Sequence, residues 1–157
     1  MKQYYLLMDA LKSYLQDNPN VNTIHEGGFL KVDLSKESIF PLINIDVISV
    51  EFLKQYNRFT VEFIAADIVD ETLVNEKNVR NLFHGSNNLQ DIYNTQLSVM
   101  NKLQSSLKRG GLNDVDYVLD ENQSAVTTPF EHRFGNLLAG WSLNVIIDVP
   151  NDDISIC

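Results

Sequence analysis

Residues 88–109 read NLQDIYNTQLSVMNKLQSSLKR, and the rest of the chain is organised around them. Leu89, Ile92, Tyr93, Leu97, Met100, Leu103 and Leu107 recur at intervals of three and four, the spacing that lines apolar side chains along one stripe of an α-helix. Gln90, Asp91, Asn94, Thr95, Ser98, Asn101, Lys102 and Ser105 fill the remaining surface, which is polar but lightly charged. Ser86, Asn87 and Asn88 offer side-chain oxygens to the orphan N–H groups of the first turn, and Asp91 sits at the positive end of the helix dipole. At the other end Lys108 and Arg109 suit the negative end, and Gly110-Gly111 supplies the conformational freedom that closes a helix. Such a helix is about 33 Å long, enough to cross several strands. A one-sided stripe needs a flat apolar partner, so the flanking sequence is expected to supply a sheet.

The flanks read accordingly. Tyr4 to Gln16 predicts a first helix with Tyr4, Leu7, Met8, Leu11, Tyr14 and Leu15 on one face, stopped by Asp17-Asn18-Pro19-Asn20. Thr23 to Glu26 and Phe29 to Leu34, joined by Gly27-Gly28, read as a hairpin. Leu42 to Val50 alternates Ile43, Ile45 and Val47 against Asn44, Asp46 and Ile48. After a polar link at 51–57, Arg58 to Val69 alternates Phe59, Val61, Phe63 and Ala65 against Thr60, Glu62, Ile64 and Ala66. Two such runs in succession predict antiparallel neighbours. Residues 70–85 read as a polar loop, long enough to be functional or disordered. Val115 to Leu119 and Ala125 to Phe134 are extended pieces around a turn at 120–124. The clearest strand is Trp141 to Val149, with Trp141, Leu143, Val145, Ile147 and Val149 on one face and Pro150 ending it. The expected fold is α+β: a mostly antiparallel sheet with an N-terminal helix and one long helix against it. Residues 1–150 are expected to form one domain, with 151–157 as an acidic tail.

Composition narrows the function. Net charge is −9 with only 12 basic residues, which disfavours a phosphate-gripping surface. The one cysteine, Cys157, leaves no internal disulfide and suits a reducing compartment. No segment reads as a secretory signal or a membrane span. His25, His84 and His132 stand apart from one another and in no metal-ligand spacing, and the double glycines lack the pattern of a phosphate loop. No serine sits in a nucleophile elbow. Asp67, Asp70 and Glu71 could hold a divalent ion, although a solvated strand end is the simpler account. No catalytic, metal or cofactor residue is therefore assigned, and no enzyme is expected. Assembly fits better. Pro129-Phe130-Glu131-His132-Arg133-Phe134 brings two aromatics and three ionisable groups together, and aromatics and arginine are favoured at interface hot spots. Phe130, Glu131, His132, Arg133 and Phe134 are the candidate interface residues, with packing of Phe130 and Phe134 into the local core as the competing reading.

The same segment, followed by Leu138-Ala139-Gly140-Trp141 and a strand ending Asp148-Val149-Pro150, resembles the C-terminal part of small virion proteins of tailed bacteriophages, including phages of Bacteroides-type bacteria and the crAss-like group. The runs Phe40-Pro41-Leu42-Ile43-Asn44-Ile45-Asp46 and Arg58-Phe59-Thr60-Val61-Glu62-Phe63, continuing to Ala66-Asp67, agree in order and spacing. The chain is thus similar to the tail-terminator and tail-completion family, whose fold is a small α+β sheet with flanking helices. That resemblance implies a ring subunit, six- or twelve-fold, at the head–tail junction. It would join the portal or connector to other tail or neck proteins and let double-stranded DNA pass without specific binding. It brings no catalytic residue and implies a place in the virion after synthesis in the host cytoplasm. The alternative is an assembly chaperone or adaptor of the infected cell that stays outside the virion.

Overall fold

A computed structural model describes residues 3–28, 39–70, 88–109, 112, 118–119, 125–133 and 137–151. In chain order the elements are α1 (Gln3–Gln16), β1 (Thr23–Glu26), β2 (Leu42–Phe52), β3 (Tyr56–Ile68), α2 (Leu89–Lys108), β4 (Val118–Leu119), β5 (Val126–Arg133) and β6 (Leu138–Pro150). The fold is α+β. Its six-stranded sheet runs β1-β2-β3-β6-β4, with β5 also paired to β6. Among the described residues only the β1–β2 pair is parallel. β4 covers Asp148 and Ile147 of β6, and β5 covers Asn144 to Leu138, so the two form one interrupted edge.

The alternation in β2, β3 and β6 fixes the layers. Ile43 pairs with Ala65, Ile45 with Phe63 and Val47 with Val61, while Phe59, Val61 and Phe63 pair with Ile147, Val145 and Leu143. A period of two puts all of them on one face. That face and the buried sides of both helices make the main core, which includes Leu7, Leu11, Leu15, Met100, Leu103 and Leu107. The helices also touch each other: the Tyr14 hydroxyl donates to the Lys102 carbonyl at 3.0 Å. A smaller cluster of Leu42, Ile64, Ala66, Phe130 and Leu138 lies on the other face.

Several elements differ in detail from the sequence reading. The link expected at 51–57 is shorter, because β2 continues to Phe52 and β3 begins at Tyr56; the Leu53 N–H donates to the Tyr56 carbonyl at 3.1 Å and closes the turn. Thr23–Glu26 pairs with Leu42–Ile45 of β2 in parallel, and its expected hairpin partner at 29–34 lies outside the described residues. The same holds for the turn at 120–124, the closing Gly110-Gly111 and nearly all of the loop at 70–85. On α1 the buried positions are Gln3, Leu7, Met8, Ala10, Leu11 and Leu15, whereas Tyr4 is exposed. On α2 the buried stripe is Ile92, Gln96, Val99, Met100, Leu103 and Leu107. It is turned toward Gln96 and Val99 and away from Leu97, which is 38% exposed.

Candidate assembly surface

Two side chains lock the first half of α2. Trp141 of β6 donates its indole Nε1–H to the Tyr93 carbonyl at 2.8 Å, and the two rings meet edge to face with centroids 5.5 Å apart. The Tyr93 hydroxyl in turn donates to the Phe130 carbonyl on β5 at 3.2 Å. Burial and the nearby Glu131 carboxylate both raise the Tyr93 pKa, so the hydroxyl stays a donor through the physiological range. Asn88 does not cap α2 with its side chain as the sequence predicts. Its amide instead bridges the end of β3, accepting from the Asp70 N–H at 2.8 Å and donating to the Ile68 carbonyl at 3.2 Å.

With α2 turned this way, one flank of the helix stands off the edge of the sheet. The groove between them has a volume of about 500 Å³. Asn94, Leu97, Ser98, Asn101, Gln104 and Lys108 form its helical wall, Ala125 and Thr127 its strand wall, and Met100 and Leu143 its floor. Among the described residues no carboxylate lines it. The lining combines apolar floor and amide rim, suited to an extended segment that brings both side chains and backbone groups.

The sequence-predicted residues lie on the same edge strand. Phe130 is buried in the smaller core cluster, opposite Gly140 of β6. Glu131 is exposed beside Ala139. The register of β5 shifts between Glu131 and Arg133, with His132 at the irregularity. Phe134 lies outside the described residues. The structure therefore keeps Glu131, His132 and Arg133 on one strand edge and assigns Phe130 to packing. Pro129, also on this strand, is of the residue type that sheets accept at edges.

The opposite side of the sheet ends differently. Among the described residues β1 covers β2 over Leu42–Ile45, and β2 runs on through Asp46–Phe52 into a hairpin with β3. A β-bulge falls at Ile48, between Val47 and Ser49. Ile48 is 56% and Phe52 69% exposed. Sequence reasoning gave no role to this hairpin or to the groove. Of the basic residues at this end of α2, Lys108 lines the groove, whereas Lys102 lines a separate hollow with Tyr14, Asp17, Asn18 and Pro19.

The remaining polar groups tie elements together. Arg58 holds Asp148 through two bonds of 2.8 and 2.9 Å, joining β3 to β6. Glu26 receives the Tyr4 hydroxyl at 2.6 Å and the Lys12 ammonium at 2.7 Å, joining α1 to β1. Lys12 and then Tyr4 hold the Glu26 carboxyl below its ordinary range, and the bond to Glu26 pushes Tyr4 up to about 12. Asp67 is raised by burial, opposed by the Ile68 N–H it accepts. Glu71 lies outside the described residues, and among the described residues no three of His, Cys, Asp and Glu come together as a metal cluster. No helix among them is long and apolar enough to cross a membrane.

Compared with known proteins, the sequence matches no family model and no curated protein.

Proposed function

We propose that this chain is a structural subunit of a ring at the head–tail junction of a tailed bacteriophage, a tail terminator or a related neck or tail ring. The observation that carries this reading is the pair of unlike surfaces at opposite ends of one sheet. The groove between α2 and β5 lies at one end, and the β2–β3 hairpin with exposed Ile48 and Phe52 lies at the other. Contacts between different patches are heterologous, and heterologous contacts generate rings when the rotation closes. The sequence likeness described above supplies the virion context. The strand edge that carries Glu131, His132 and Arg133 is a further place for contacts with neighbouring copies, the portal or connector, or tail proteins.

The net charge of −9 fits passage of DNA, since carboxylates repel the phosphate backbone and leave it free to slide. In this reading part of the negative surface faces the lumen, and a channel lined by lysine and arginine would refute that part.

Quantitative mass spectrometry of purified particles tests the function. A ring subunit is retained in fixed stoichiometry with the portal protein. A chaperone or adaptor is present in infected-cell lysate and absent from the particles.

A further inference from the structure

We draw no further inference here: the strongest candidate, the groove between α2 and β5 with its floor of Met100 and Leu143, is an unpartnered apolar surface, and nothing in the structure shows what covers it.

Discussion

Gln96 is 1% exposed in the middle of the buried stripe of α2, and neither its Nε2 nor its Oε1 has a hydrogen-bond partner. A buried amide left unmatched costs about 1–3 kcal/mol, so Gln96→Met, which keeps the length and removes both polar atoms, should stabilise the chain by about 1 kcal/mol in urea denaturation. Gly140 behaves oppositely. A Cβ there would stand 1.9 Å from the Ala65 carbonyl oxygen on β3, where neither backbone can retreat without breaking the ladder. Gly140→Ala should therefore cost about 3 kcal/mol or abolish folding, read in the same assay. The Tyr4–Glu26–Lys12 cluster predicts a pH dependence. The depressed Glu26 carboxyl contributes stability above its unfolded pKa and loses it as pH falls through the folded value. Tyr4, held protonated up to about 12, contributes below 10 and loses that contribution as pH rises from 10 to 12. The stability difference between the parent and Glu26→Gln should thus be flat from about pH 6 to 9 and shrink below that window, as urea titrations across pH would read. The cluster is substantially exposed, so its contribution is small.

Elements were legible where one face is apolar and the other wet. The alternation of Phe59, Val61, Phe63 and Ala65, and of Trp141 through Val149, gave both central strands and their shared face. The three-and-four spacing gave both helices. What the pattern misjudged was rotation. Leu97 is as apolar as Val99, so hydropathy alone could not say which faces the sheet. The choice follows from tertiary contacts, chiefly Trp141 gripping Tyr93 and Asn88 gripping the end of β3. An Asn that reads as a helix cap is used between elements, because the neighbouring strand end offers both a donor and an acceptor. The observed rotation makes a direct prediction. Val99→Ala should cost about 2 kcal/mol, whereas Leu97→Ala should change stability by less than about 0.5 kcal/mol, measured side by side in chemical denaturation. The candidate site was less legible than the fold. Of the 129–134 segment, residues 129–133 lie on the edge strand β5, and Phe130 is occupied in packing. The groove and hairpin are defined by which elements become neighbours, which short-range spacing does not encode.

At the scale of the whole molecule, the central strands β3 and β6 separate the β2 side of the sheet from the groove on the β5 side. The C-terminal half of α2 is positive in a strongly negative chain. The most direct test of the ring assignment is a cryo-EM map of the head–tail junction of the phage particle that carries this chain. The account predicts a closed ring of identical copies of this chain around the DNA path. A junction built without this chain would contradict it.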